Sequence, residues 1–341
     1  VGLEPIASKL ALAGNVSTVS ELLDTLARLE RHGIGGFINL FVDNDPGDPE
    51  RYVVFVEQGG LSLPDESYYR DEQFASIREA YLSHIQRMFE LTDARLPEYA
   101  GEAAAIRAQR VFDLETELAS HHWDNVRSRD SLATYNSMTW NETKKLAANA
   151  GADLDLWRTA LAGESGALDQ LIVRQPSFVE GLGELLGEHR LEHWRDWLAW
   201  QVIHSSAPFL PADFVEANFD FYGRTLTGTP SQRERWKRGV SVVESALGEA
   251  IGQIYVDRHF PEEAKAHMDV LVANLVEAYR QSINDLDWMS SATKERALDK
   301  LDKFTPKVGY PTKWRDYSNL NISRHDLIAV SYTHLTLPTT P

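Results

Sequence analysis

The 341-residue sequence has no cysteine, which excludes a disulfide framework, a thiolate metal site and a cysteine nucleophile. No apolar run approaches the roughly 20 residues needed to span a bilayer. The opening Val1-Gly2-Leu3-Glu4-Pro5 carries no initiator methionine, no basic stretch and no apolar segment behind it, so it reads as the middle of a longer chain rather than as a targeting signal. Positive charge is in deficit: 34 Lys+Arg against 51 Asp+Glu leave a formal charge of −17. A body this acidic is repelled by phosphate backbones and anionic lipid, so neither a nucleic-acid partner nor a membrane segment is expected. The expected compartment is soluble, with the cytoplasm favoured over export.

Motifs for chemistry are equally scarce. H-E-x-x-H, the P-loop, the dinucleotide glycine pattern and the G-x-S-x-G elbow are all missing. One pattern with metal-ligand spacing exists. His189-Arg190-Leu191-Glu192-His193 fits the H-x-x-E-H of inverted zincins, in which two histidines four apart share one helix face. With 11 histidines and many glutamates in the chain, chance accounts for such a match, and the expected role is two exposed histidines on an amphipathic helix beside Trp194 and Trp197. No third ligand is marked downstream, although Glu216, Glu244 and Glu249 are available. His121-His122 is a second cluster. Neighbours on a helix point about 100° apart and do not clamp one ion, so a capping or surface role is expected. Asp43, Asp45 and Asp48 crowd one loop, but the order of calcium ligands is absent and Pro46-Gly47 suits a turn better.

What is present is a globular composition, with 43% hydrophobic and 25% charged residues, and a helical periodicity over most of the length. Val19, Leu22, Leu23, Leu26 and Leu29 mark a helix over 17–30, with Ser17 or Thr18 as N-cap and Glu21 one turn on. Phe37–Val42 and Tyr52–Val56 flank a dense turn segment and predict a β-hairpin with a long loop, at about 37–56. Apolar stripes follow at Phe74, Ile77, Tyr81, Ile85 and Met88; at Val111, Leu114 and Leu118; at Trp194, Trp197 and Leu198; and at Ala264, Met268, Leu271, Leu275, Ala278 and Ile283. All are expected to face a core. The fold class is therefore mainly α, with one hairpin near the start.

Several segments together resemble the neprilysin-like zinc endopeptidases. They are the 37–42 strand followed by Gly60-Leu61-Ser62-Leu63-Pro64 and Tyr68-Tyr69; Tyr135-Asn136-Ser137-Met138-Thr139; Phe219–Gly223 followed by Arg235-Trp236; and Trp288-Met289, Thr293-Lys294, Lys300 and Gly309-Tyr310-Pro311. They occur in family order from about 36 to 317. The lack of any cysteine is similar to a bacterial member, since animal members commonly carry one at the position of Gly239. The resemblance implies a large multi-helix lobe that covers a thermolysin-like catalytic lobe and encloses peptide substrates. It implies one zinc ion in the full-length protein, held by ligands outside this chain. No catalytic, cofactor-binding or metal residue carries over onto the present positions. On this resemblance 1–330 is the partial N-terminal lobe, its partner is the C-terminal catalytic lobe, and the chain by itself is inactive and exposes apolar surface. Residues 331–341, where Thr and Pro suddenly dominate, are expected to be a foreign tail. The alternatives are a stand-alone helical binding or scaffold protein, and an inverted zincin using His189, Glu192 and His193.

Overall fold

Thr18 stops the first connecting loop by accepting a hydrogen bond from Glu21 N through its side chain (3.2 Å), while the Glu21 carboxylate reaches back to Ser17. This satisfies donors that a helix start leaves bare. The same logic, read along the chain, yields the rest. The computed structural model describes residues 2–148, 152–163, 165–318, 320, 322–323 and 327–331. In order, the elements are α1 Glu4–Gly14, α2 Val19–Glu30, β1 Ile38–Asp45, β2 Asp48–Gln58, α3 Ser67–Arg70, α4 Ala75–Asp93, α5 Ala104–His121, β3 Ser137–Thr139, α6 Trp140–Leu146, α7 Leu154–Ala162, β4 Gln170–Val173, α8 Pro176–Leu185, α9 Leu191–Ser206, α10 Ala212–Asn218, a π-helical segment Phe219–Thr225, α11 Arg235–His259, α12 Glu262–Asp285, α13 Ser291–Asp302 and α14 Leu327–Ser331. The mainly α class holds. The expected foreign tail lies outside the described residues except for Ser331, which ends α14.

The hairpin is longer, and its loop shorter, than the sequence predicts. β1 pairs antiparallel with β2 from Ile38↔Gln58 to Asp45↔Asp48, leaving only Pro46-Gly47 between the strands. The physical reason is Asp45. Its buried carboxylate accepts from Gly47 N (2.8 Å), Tyr135 OH (2.8 Å) and Arg51 (2.5 Å), so an acidic stretch that looks like loop is pinned into the ladder. These bonds, Arg51 first, hold the Asp45 carboxyl below the usual carboxylate range. Two short strands escape sequence reading. β4 pairs parallel with β2 and β3 antiparallel with β4, giving a four-stranded sheet in the order β1-β2-β4-β3. Phe55 and Ile172 from its central strands are buried, and Phe41 stacks on Phe55.

The described residues form two compact units, one of 2–232 with 327–329 and the other of 233–323 with 330–331. The first has a dense core. Tyr81, Ile85 and Met88 of α4, Val111, Leu114 and Leu118 of α5, and Trp194, Trp197 and Trp200 of α9 are all buried. In the second unit α11 bends at Leu247, whose backbone leaves helical angles. The 308–311 segment folds back so that Tyr310 meets Phe260 and Trp314, and Lys265 lies over the Tyr310 ring. Here the expectation of a core stripe on α12 fails. No residue of α12 is buried, and Met268, Leu271 and Leu275 are 40%, 48% and 51% exposed. The helix and its amphipathic face are as the spacing predicts, but no described residue packs over that face closely enough to bury it.

Candidate functional site

The Gly60–Pro64 run that carries the first part of the resemblance is a loop held by hydrogen bonds from several helices of the first unit. β2 ends at Gln58, which is clamped at both ends: its backbone N–H donates to Gln175 Oε1 (3.0 Å), and its side-chain amide exchanges hydrogen bonds with the Trp123 backbone. Gly60 then turns the chain at φ +86°, a backbone state that side chains with a Cβ adopt only under strain. The turn sends Ser62 inward beneath α5 and α9.

Around Ser62 every donor is assigned. Trp200 Nε1 and Gln201 Nε2 both donate to Ser62 Oγ (3.1 and 3.2 Å), so the serine proton is directed to Glu115 Oε1 (2.7 Å). Ser62 N and Leu63 N donate to Tyr69 OH (3.3 and 3.1 Å), whose own proton goes to Glu115 Oε2 (2.7 Å). Tyr81 OH adds a second donor to the same oxygen (2.8 Å), the third on the carboxylate. Tyr222 OH donates to Ser62 O, and Trp197 Nε1 to Gly60 O, both at 3.3 Å. Burial pushes the Glu115 carboxyl up to about 7, against the pull of its three hydroxyl donors. The same burial, with Glu115 next in importance, pushes the Tyr69 and Tyr81 phenols well above their ordinary value. The cluster has serine, carboxylate and phenol groups, but among the described residues no imidazole bonds to Ser62. Its chemistry is that of a satisfied buried network, fixing the loop to α3, α4, α5, α9 and the π-helical segment at once.

Sequence reasoning missed this cluster. A signal was available, because Glu115 lies beside Leu114 and one turn from Val111 and Leu118, a charge set among buried apolar residues.

The H-x-x-E-H pattern does not assemble. His189 belongs to a 3-10 turn, Glu188–Arg190, and α9 begins only at Leu191. The two histidines therefore do not stand four apart on one continuous α-helix. Glu192 is exposed and ion-paired with Arg110 at 2.9 Å, which Glu102 and Asp196 also engage. His193 is half-buried, and burial, reinforced by Arg190 and Arg110, lowers its pKa. Of the possible third ligands, Glu216 lies on α10 and Glu249 accepts from Arg315 N (2.8 Å). Among the described residues no group of three His, Asp or Glu is placed to hold a metal. His122, expected at a surface or cap, follows the last residue of α5 and also donates through Nε2 to Gly59 O (2.9 Å), packed edge-on against Phe178.

One cleft in the first unit combines charge with buried polar groups. It measures about 410 Å³ between α4 and α10, and its wall includes Ser83, His84, Arg87, Asp213, Glu216 and Asp220. Asp213 is paired with Arg95, and Asp220 with Arg224. No helix among the described residues is long and apolar enough to cross a membrane.

A sequence profile described as peptidase family M13 matches residues 1–311. The chain is similar to the neutral endopeptidase of Lactobacillus helveticus, at 28% identity over 276 residues, covering 80% of this chain and 40% of that protein. It is similar to human neprilysin at 24% identity over 294 residues, covering 82% and 39% respectively. Among solved structures, the zinc metalloprotease Zmp1 of Mycobacterium tuberculosis in an open state superposes with a TM-score of 0.86 at 46% identity, over 97% of this chain and 51% of that one. The chain thus spans about two fifths of these curated relatives and half of the solved one.

Proposed function

Because this chain belongs to peptidase family M13, we propose that it serves as the N-terminal, substrate-enclosing lobe of a zinc metalloendopeptidase, with the zinc site carried by a separate catalytic lobe of the full-length enzyme. The observation that carries this reading is the apolar surface of the second unit. Trp236, Ile254, Tyr255, Leu271, Leu275 and Tyr279 all stand exposed on α11 and α12, and long helices do not keep such faces in water without a partner. The partner proposed is the catalytic lobe. The resident ion is zinc, and the residues described here do not fit it: the one spaced histidine pair is split between a 3-10 turn and a helix, and its glutamate is held by Arg110. No catalytic step is therefore routed through this chain. Its contribution is to bound the space in which peptides are admitted, and 1–330 acts as that lobe.

The test is direct. The purified chain is incubated with zinc and a neprilysin-type peptide, and bound metal is counted before and after His193→Ala. No hydrolysis and no stoichiometric zinc are expected. Zinc at one equivalent that disappears with His193→Ala would replace this reading with the inverted-zincin one.

A further inference from the structure

The chain leaves the first unit through a π-helical segment, Phe219–Thr225. Such wide turns are uncommon and form where side chains compensate the backbone. Here Thr225 Oγ1 donates to Asp220 O (2.9 Å) and Thr227 Oγ1 to Gly223 O (2.8 Å). At Gly223 a Cβ would lie 2.4 Å from the Phe219 ring, so a larger residue there would have to displace that ring. Asp220 and Arg224 pair with each other on the outer side. The segment turns Phe221 and Tyr222 inward, and two histidines from different helices receive them.

His84 of α4 stacks on Phe221 (ring centroids 5.1 Å, 12°) and stands edge-on to Tyr222 (5.5 Å) and Trp200 (5.6 Å). His204 of α9 stacks on Trp200 (5.3 Å) and lies 5.0 Å from Tyr222. His84 Nε2 and His204 Nδ1 are buried and have no hydrogen-bond partner among the described residues. Both imidazoles are thus used as flat neutral rings, and a proton on either would place a charge among aromatic faces.

We propose that His84 and His204 form an acid-released clasp on the π-helical segment, so that protonating these rings frees the stretch by which the chain passes from the first unit towards α11. Burial holds both imidazoles neutral, pushing His84 down to about 3, with His204 as the next cause, and His204 down to about 4. The titratable groups facing the clasp are few. Tyr81 shares α4 with His84, Tyr69 comes from α3, Glu115 from α5, and Tyr222 is the clasped residue itself; Arg87, Asp213, Glu216 and Asp220 line the cleft onto which His84 opens. Glu115, held up by burial, works in the opposite sense. Its hydroxyl donors are Ser62, Tyr69 and Tyr81, none of which lies in the segment, so opening the segment leaves it capped.

For the histidines the folded pKa lies below the ordinary 6.5, so the closed state is fully favoured above pH 6.5 and loses ground as pH falls towards 4. Each ring hydrated on opening raises the open population about 30-fold between pH 8 and pH 5.

The experiment is amide hydrogen exchange of the full chain at pH 8 and pH 5, corrected for intrinsic rates and read by peptide. Protection over 219–227 is expected to fall at least about 30-fold at pH 5, while the amides of β2 and β4 change far less. The double variant His84→Phe/His204→Phe, which keeps aromatic packing, is expected to abolish that pH dependence. Unchanged protection of 219–227 in the wild-type chain at pH 5 would overturn the proposal without any variant. So would an equal loss across the whole first unit, or a double variant that folds and still shows the wild-type pH response.

Discussion

α9 and α12 are both long helices with large apolar side chains, and they end in opposite environments. α9 sits in the first unit with Trp194, Trp197 and Trp200 fully buried, each indole N–H finding an acceptor on Leu185, Gly60 or Ser62. α12 sits in the second unit with no buried residue at all. The difference does not lie in periodicity, which is clearer in α12 than in α9. It lies in what surrounds each helix: α9 is packed by α1, α2 and α5, whereas α12 presents Leu271, Leu275 and Tyr279 to solvent. An amphipathic stripe states which face needs a partner. It does not state that the partner is in the same chain segment.

Mutations in the two units test this contrast. The largest effect is expected from Trp197→Ala, which empties a fully buried site and should cost the first unit about 3–5 kcal/mol in denaturant unfolding; a loss below about 1 kcal/mol would mean the core is looser than its burial implies. Next is Glu115→Ala. It strands the hydroxyls of Ser62, Tyr69 and Tyr81 and should cost about 3 kcal/mol, whereas a neutral result would show that the network contributes nothing net.

A third comparison is with pH. Burial raises Glu30, between Trp157 and Gly36, to about 8 and Glu115 to about 7. Both folded values exceed the unfolded 4.5, so their contribution is fully present below pH 4.5 and is lost as pH rises through 7 to 8. Because the buried histidines act in the opposite sense over the same range, the test is a difference: from pH 5 to pH 8 the wild-type chain should lose melting temperature relative to Glu30→Gln, and a variant with the wild-type slope would remove Glu30 from the account. The smallest effects belong to the second unit. Leu271→Ser with Leu275→Ser should change stability by no more than about 0.5 kcal/mol while lowering dye binding and self-association of the isolated chain. Marked destabilisation instead would mean those side chains are already covered.

Particular residues show how far the sequence was legible. The α2 start was readable because Thr18 and Glu21 act within one turn of each other, and local hydrogen bonding needs no tertiary information. The hairpin was readable from its alternating apolar strands, but its tip was misjudged. The bonds that carry β1 on to Asp45 come partly from Tyr135, ninety positions away. β3 and β4 are too short to carry a pattern, and they exist because β2 offers a free edge. His189–His193 looked like a ligand pair only as long as one helix was assumed to run through both, and the 3-10 turn at Glu188–Arg190 removes that assumption.

The helical class, the apolar face that each helix carries, the two hairpin strands and, through an ordered set of short motifs, the family all follow from the sequence alone. These follow from spacing and local chemistry, which act over one or two turns. Only the tertiary structure decided that Ser62, Tyr69, Tyr81 and Glu115 share one buried network, that two histidines close around Tyr222, and that the apolar face of α12 is left in water. Each of these depends on segments far apart in the chain meeting, or failing to meet, and no local pattern encodes that encounter.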